Sequence, residues 1–322
     1  MFIKPNNTEL EKLIHEACRL TIRRFGRTIK LYAPLYISNI CINSCPYCNF
    51  NADFKNERKR LSLDEIITEA QFLKDQGHES LLLVSGEDPM ITPKFLGDAI
   101  SKLKSDFSEV SIEVQPLKEP DYRMLIDTGL DGVTLYQETY NKALYERLHT
   151  SGPKAEFQKR LDAIEAAARI GVRSINIGVL LGLSDWQDDM KRLFEHARFL
   201  MKKYWRSSIA ISFPRLKHAP QGFKILNPVS DNELIEMICL TRINFPDSDL
   251  LLSTRETTEL RDHLLGIGIT KISAGSKNSP GGYSSVHVSE KQFELEDNRT
   301  TQEIINTIRR SGFDPVWKDW EL

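Results

Sequence analysis

Short apolar segments alternate with helical patterns along the whole chain. Eight segments are predicted to be strands, and several of them are apolar with little alternation, as parallel strands buried on both faces are. These predicted strands cover 30–38, 80–84, 110–114, 132–136, 174–178, 209–213, 250–253 and 270–273. Helical spacing of apolar residues follows each strand, near 62–77, 92–107, 121–128, 155–170, 186–204, 231–244, 256–264 and 300–311.

This alternation predicts an α/β fold, a complete (β/α)8 barrel of the TIM type that covers residues 30–312. Residues 1–29 are predicted to form an N-terminal helical extension, and 313–322 a C-terminal tail. Two capping boxes, Thr8 with Glu11 and Ser62 with Glu65, are predicted to begin the extension helix and the first barrel helix.

Charge and apolar content narrow the class of protein. The chain has 43 basic and 45 acidic residues, and its net charge of -2 indicates neither a nucleic-acid nor a membrane partner. No apolar run approaches the roughly 20 residues of a membrane span. We therefore expect a soluble cytoplasmic enzyme.

Three of the five cysteines lie in one loop directly after the first predicted strand. Cys41, Cys45 and Cys48 have C-x3-C-x2-C spacing, and their thiolates can bind three irons of one [4Fe-4S] cluster. The fourth iron then stays open for a substrate. Sparse cysteines disfavour a disulfide framework, and the lack of a second cysteine pair disfavours structural zinc. Cys18 and Cys239 lie in helical patterns and are predicted to be buried apolar residues.

Polar residues also follow most of the other predicted strands. The carboxyl ends of barrel strands carry the chemistry of such folds, so these residues are predicted to surround one active site. They include Gly86, Glu87, Glu113, Gln115, Gln137, Glu138, Arg215, Ser253, Arg255 and Lys277.

Together with Tyr47 before the last cysteine, the cysteine loop resembles the radical S-adenosylmethionine (SAM) signature. Longer segments resemble the 2-iminoacetate synthase family, the ThiH-type tyrosine lyases of bacterial thiazole (thiamine) biosynthesis, within the ThiH/HydG-like branch. The resemblance runs from about Phe25 to Trp320. The segments are 31–39, 113–117, 129–133, 136–140, 212–216, 252–256, 280–283 and 315–317.

The resemblance implies one [4Fe-4S] cluster and SAM as cofactors. In the family, the amine and carboxylate of SAM chelate the open iron, and a 5′-deoxyadenosyl radical abstracts hydrogen from the amino group of L-tyrosine. The Cα–Cβ bond then breaks to give 2-iminoacetate and p-cresol, for thiazole biosynthesis. A related hydrogenase maturase goes on to make CO and cyanide with C-terminal cysteines. No cysteine follows Cys239 here, so that further chemistry is not expected.

The cofactor's polar groups suggest roles for five residues. Glu87 matches the superfamily motif that accepts hydrogen bonds from the SAM amine, and Gly86 would let backbone approach the ligand closely. Glu113 or Glu138 could bind the ribose hydroxyls. Arg160 could pair with the SAM carboxylate.

Two further residues are candidates for the amino-acid substrate. Arg255 presents a planar donor fork suited to a carboxylate. Ser253 lies two residues earlier and would point to the same side of the strand. The alternative for Arg255 is a surface salt bridge with Glu256.

The sequence alone does not decide between several possible partners and functions. The expected partners are an electron donor such as flavodoxin or ferredoxin, and a thiazole synthase partner protein. The family usually has glycine at Asn49, and the region before Phe25 is shorter than usual, which could change cluster packing and partner docking. The alternatives are a lyase of the same branch that acts on tryptophan, and a catalytically silent cluster-binding scaffold.

Overall fold

The computed structural model describes residues 7–284 and 289–317, and within them the strands and helices alternate. The strands are β1 Thr28–Ser38, β2 Ser80–Ser85, β3 Glu109–Glu113, β4 Gly132–Thr134, β5 Ser174–Gly178, β6 Ser208–Ser212, β7 Leu250–Leu252, β8 Lys271–Ser273 and β9 Asp314–Val316. The helices are α1 Asn7–Phe25, α2 Leu63–Asp75, α3 Pro93–Leu103, α4 Glu119–Asp127, α5 Lys142–Leu148, α6 Phe157–Arg169, α7 Trp186–Lys203, α8 Asp231–Asn244, α9 Thr258–His263 and α10 Thr301–Arg310.

Strands β1 to β8 form a closed parallel barrel. Each pairs with the next in chain order, and β1 pairs with β8 as well as with β2. The predicted (β/α)8 barrel is therefore confirmed. Strand β9 pairs with Thr28–Lys30, the first residues of β1, whereas the pairing of β1 with β2 begins only at Ala33. Part of the predicted C-terminal tail thus extends the sheet beside the first residues of β1.

The sequence pattern missed four short elements and misplaced the ends of some others. Helix α5, strand β9 and two short 3-10 turns, Pro153–Ala155 and Pro220–Gly222, lie outside the regular strand–helix alternation and were not predicted. The capping box of Ser62 and Glu65 is confirmed at the start of α2. The box predicted at Thr8 is wrong, because α1 already includes Asn7. In the described part of the chain no helix is long and apolar enough to cross a membrane.

Apolar and polar layers divide the interior of the barrel. The layer nearest the carboxyl ends of the strands contains aromatic and aliphatic side chains. Cys41 and Cys48 pack against this layer, so the cysteine loop covers this end of the barrel. The residues of this layer are Tyr32, Tyr36, Phe50, Leu82, Val84, Ala210 and Leu251.

A buried ion pair occupies the opposite end of the barrel. The Lys271 ammonium on β8 lies 2.7 Å from the Glu109 carboxylate on β3, and the Ser80 hydroxyl donates to the same carboxylate over 2.8 Å. Burial alone would raise the pKa of Glu109, but Lys271 and Ser80 lower it to about 2. Because β3 and β8 are not neighbours in the sheet, this pair crosses the barrel interior.

The described parts of the segment between β8 and α10 (274–284 and 289–300, hereafter the β8–α10 segment) contact the barrel near its mouth. The buried Glu69 carboxylate on α2 accepts from the backbone amides of Tyr283 and Ser284, over 2.9 and 2.7 Å. The Tyr283 hydroxyl donates to the Pro34 carbonyl of β1 over 2.7 Å. These bonds attach the segment to the barrel on the side where the cysteine loop emerges.

Candidate active site

The cysteine loop begins where β1 ends and turns tightly on itself. The Cys48 amide donates to the Cys45 carbonyl over 3.2 Å, and the Ala52 amide donates to the Asn43 carbonyl over 2.9 Å. Cys41, Cys45 and Cys48 are all free thiols. The loop therefore presents three unpaired cysteines together at the barrel mouth.

Gly86, at the end of β2, allows the cysteine loop to approach the barrel. A Cβ atom at position 86 would lie 2.2 Å from the Ile40 carbonyl oxygen, which no side chain could accommodate. The neighbouring Glu87 carbonyl accepts from the Ile42 amide over 3.2 Å. Gly86 therefore allows the backbone of the cysteine loop to come close to the end of β2. The sequence alone predicts instead that this glycine allows close approach of backbone to the ligand.

The Glu87 side chain lies beside the same loop. Its carboxylate accepts from the Asn43 side-chain amide over 2.6 Å, and this amide nitrogen also lies 3.5 Å from the Cys41 sulfur. Glu87 is only half-buried. Asn43, which sequence reasoning did not single out, therefore connects the cluster ligand expected at Cys41 with the carboxylate expected to bind the SAM amine.

The donor set fits an iron–sulfur cluster. Burial, opposed in part by Lys154 and reinforced by Cys41, raises the pKa of Cys45 to about 11. Burial and the two other thiols raise the pKa of Cys48 to about 12. Crowded thiols of this kind ionise when a cation is bound. Among residues 7–284 and 289–317, no three Cys, His, Asp or Glu side chains surround a single ion position. The three cysteines of a [4Fe-4S] cluster do not have to surround one position, because each of them binds a separate iron.

Glu138, Lys154 and Arg160 form a buried charged group next to the cysteine loop. The Lys154 ammonium lies 2.6 Å from the Glu138 carboxylate, and the Arg160 guanidinium lies 3.9 Å from it. Burial raises the pKa of Glu138, but the two cations outweigh this effect and keep the pKa below its ordinary value. Glu138 has a φ of 69°, a left-handed conformation that is uncommon outside glycine and here places its carboxylate between the two cations.

Lys154 is a site residue that the sequence did not reveal. Its backbone amide donates to the Asn43 side-chain oxygen over 2.9 Å, and its ammonium lies 5.7 Å from the centre of the Tyr47 ring. It lies in a short 3-10 turn, where a lysine has the appearance of a surface residue.

Arg160, in contrast, lies behind Glu138 and donates to the Tyr136 carbonyl over 2.7 Å. Its predicted contact with the SAM carboxylate stays a prediction.

Tyr47 of the cysteine motif is held by a buried histidine. Its hydroxyl lies 2.6 Å from His149 Nε2, while His149 Nδ1 lies 2.8 Å from the Tyr145 carbonyl oxygen. A carbonyl can only accept, so Nδ1 carries the proton and Nε2 accepts from Tyr47. Burial lowers the pKa of His149 to about 3, consistent with this neutral form.

Glu113, the last residue of β3, lies in the same region without a direct partner. Within the described residues its carboxylate makes no hydrogen bond or ion pair. Burial and the nearby Glu138 raise the pKa of Glu113 to about 7, although Arg255 and the two cations beside Glu138 oppose this shift. The carboxylate thus remains available to a bound ligand.

Arg255 is not paired with Glu256, so the alternative salt bridge is wrong. Glu256 is buried and binds Arg215 through both of its carboxylate oxygens. Arg215 Nε donates to one of these oxygens at a distance of 3.0 Å. The Arg255 guanidinium instead stacks on Phe293, with its Cζ 3.5 Å from the ring centre. The Arg255 amide donates to the Ser253 hydroxyl over 3.4 Å.

These elements surround one cavity of about 300 Å³ at the mouth of the barrel. Of the predicted site residues, Cys48, Glu113, Glu138, Ser253 and Arg255 line it. Cys41, Cys45, Gly86, Glu87 and Arg160 lie around it but not on its wall. Lining residues that sequence reasoning missed include Tyr36, Lys154, His218, Gln292 and Phe293. They come from β1 and from loops, where the sequence showed no chemical motif.

Two family models match the chain in agreement with this architecture. The model of the Radical SAM superfamily matches residues 35–195. The model of the Biotin and Thiamin Synthesis associated domain matches residues 212–314. The first match contains the cysteine loop and the Glu138 group, and the second contains Ser253 and Arg255.

Individual proteins are similar to nearly the whole chain. The 2-iminoacetate synthase of Escherichia coli (strain K12) is 39% identical over 314 residues, which are 97% of this chain and 83% of that protein. The FeFe-hydrogenase maturase HydG from Carboxydothermus hydrogenoformans is 35% identical with a TM-score of 0.92, over 98% of this chain and 73% of that one. Methylornithine synthase (PylB), at 21% identity and a TM-score of 0.76 over 97% of this chain and 90% of that one, shares the fold.

Proposed function

Because this chain belongs to the 2-iminoacetate synthase family of radical SAM enzymes, we propose that it cleaves the Cα–Cβ bond of L-tyrosine. The products are 2-iminoacetate and p-cresol, together with 5′-deoxyadenosine and methionine from SAM, and the pathway is thiazole formation for thiamine. The observation that carries this function is the arrangement of the cavity. The cysteine loop and an arginine without an acidic partner open into the same space.

The cofactors are one [4Fe-4S] cluster and SAM. When bound, they supply an electron and the 5′-deoxyadenosyl radical that abstracts hydrogen from the substrate. We propose Cys41, Cys45 and Cys48 as the ligands of the cluster. Glu87, beside Cys41, would accept a hydrogen bond from the SAM amine. Gly86 keeps the loop after β2, which carries Glu87, close to the cysteine loop, so that the SAM amine and the cluster could be bound side by side.

The remaining polar groups of SAM would meet the charged residues of β3 and β4. Glu138 is already held by Lys154, whereas Glu113 has no direct partner among the described residues. We therefore propose Glu113 as the main acceptor for the ribose hydroxyls. Lys154 lines the cavity and Arg160 does not, so we propose Lys154 as the cation that would meet the SAM carboxylate.

Arg255 and Ser253 are proposed to bind the tyrosine carboxylate. Ser253 follows β7 directly, and Arg255 faces the cavity with a donor fork that no acidic residue of the described chain occupies. A bidentate guanidinium–carboxylate contact fixes the direction of the amino acid as well as its position. The substrate amine would then face the cofactor, as hydrogen abstraction requires.

Reduction of the cluster needs an external electron, for which we propose flavodoxin or ferredoxin as the donor. A thiazole synthase is proposed as the protein that receives the 2-iminoacetate.

The test of the function is an anaerobic reaction with the reconstituted protein. SAM, a reductant and either L-tyrosine or L-tryptophan are supplied, and p-cresol and 5′-deoxyadenosine are measured. We expect p-cresol from tyrosine and no fragmentation of tryptophan. Cleavage of tryptophan alone would show a different lyase of the same branch, and absence of SAM cleavage under all conditions would indicate a silent scaffold.

A further inference from the structure

The Arg255 guanidinium packs against one aromatic side chain, that of Phe293. Its Cζ lies 3.5 Å from the centre of the Phe293 ring, a face-to-face distance for stacked planes. Within the described residues the guanidinium has no ion pair and no hydrogen bond to another side chain. A half-buried arginine has several accessible rotamers, so the Phe293 ring is what selects one of them.

The backbone that carries the Phe293 ring is held in place by neighbouring residues. The Asn278 side-chain amide donates to the Phe293 carbonyl, and the Gln292 amide donates to the Asn278 carbonyl over 3.0 Å. The Gln292 side-chain oxygen accepts from the Tyr36 hydroxyl of β1 over 2.7 Å. The segment that carries Phe293 is therefore bonded both to the start of the β8–α10 segment and to the barrel.

Stacking leaves the binding edge of the guanidinium free. An aromatic ring covers one face of the planar group, while all the N–H donors lie in the plane and point outward. An acidic partner would occupy those donors, but the adjacent Glu256 is bound by Arg215. The arginine is thus oriented without losing its capacity to bind a carboxylate.

We infer that Phe293 is a positioning residue for substrate binding, which fixes the Arg255 fork toward the carboxylate of the amino-acid substrate. This inference rests on the proposed role of Arg255 in tyrosine binding. Phe293 acts through Arg255, which it contacts, and is not itself proposed to bind the substrate.

The test measures tyrosine binding in the absence of chemistry. The dissociation constant of L-tyrosine is determined for the reconstituted protein with SAM but without reductant, for Phe293→Ala, Phe293→Leu and Phe293→Tyr. We expect roughly a tenfold weaker binding for Ala and Leu, as loss of about 1.4 kcal/mol would give, and recovery with Tyr. Phe199→Ala is the matched control, since Phe199 also packs against a cation, Lys203, but is exposed on α7.

A double-mutant cycle shows whether the effect passes through Arg255. In an Arg255→Ala background, Phe293→Ala should add little further loss, because the group that it positions is gone. Full additivity, or wild-type binding by Phe293→Leu, would overturn the inference. Unchanged binding by Arg255→Ala alone would overturn the role of Arg255 and this inference with it. Absence of p-cresol in the catalytic assay, with the binding cycle as expected, would overturn only the proposed reaction.

Discussion

Replacement of Arg255 by alanine tests the proposed substrate site most directly. The change removes a charge-assisted donor pair from the cavity wall without touching the cysteine loop. A hydrogen bond to a charged group contributes about 1.5–3 kcal/mol. Since about 1.4 kcal/mol is a factor of ten, tyrosine binding should weaken roughly 10-fold to 150-fold. The upper half of this range is favoured, because Phe293 shields one face of the guanidinium and Glu256 does not compete for it.

The assay is a tyrosine titration at saturating SAM, in which p-cresol and 5′-deoxyadenosine are both measured. Besides the higher KM, we expect the ratio of p-cresol to 5′-deoxyadenosine to fall, because a loosely held amino acid is poorly placed for hydrogen abstraction. Arg255→Lys should restore only part of the binding, since an ammonium cannot reproduce the planar fork.

Arg206→Ala is the control for this prediction. Arg206 also lies over an aromatic ring, that of Trp205, and is exposed far from the cavity. It should leave both the KM and the product ratio unchanged. A wild-type ratio and an unchanged tyrosine dependence in Arg255→Ala would refute the assignment of Arg255.

Three further predictions address the cofactors and the barrel. Cys45→Ala should lose iron and sulfide after anaerobic reconstitution, whereas Cys18→Ala should retain about four of each per chain; equal contents in the two variants would contradict the cluster assignment. Glu87→Ala should keep the cluster but bind SAM more weakly and form 5′-deoxyadenosine more slowly; unchanged SAM binding would exclude the amine contact. The pKa of Glu109 is lowered to about 2 by its ion pair with Lys271, so its contribution to stability is present above its ordinary pKa near 4.5 and is lost as pH falls toward 2. Urea unfolding at pH 7 and pH 3 should therefore show a smaller loss of stability on acidification in Glu109→Gln than in the wild type, and an equal loss would refute this.

Local patterns predicted most of the barrel. Strands buried on both faces have continuous apolar runs, and helices have their own period, so the order of elements could be read along the chain. The cysteine spacing could be read in the same way, because the three cysteines lie within eight residues of one loop. Helix α5 and strand β9 were missed because they stand outside this regular alternation: α5 is a second helix between β4 and β5, and β9 follows the last helix.

The sequence by itself therefore determined the fold class, the cluster motif and the set of polar residues at the strand ends. Only the tertiary structure decided which of these residues are paired and which are free. Glu256 follows Arg255 directly, yet it bonds to Arg215, which is distant in sequence, and Phe293 stacks on Arg255 from another segment. Lys154 likewise meets Glu138 and Asn43 only after the barrel closes. The physical reason is that buried charges take the partner that the closed fold brings within hydrogen-bonding distance, and nearness in sequence does not determine that distance.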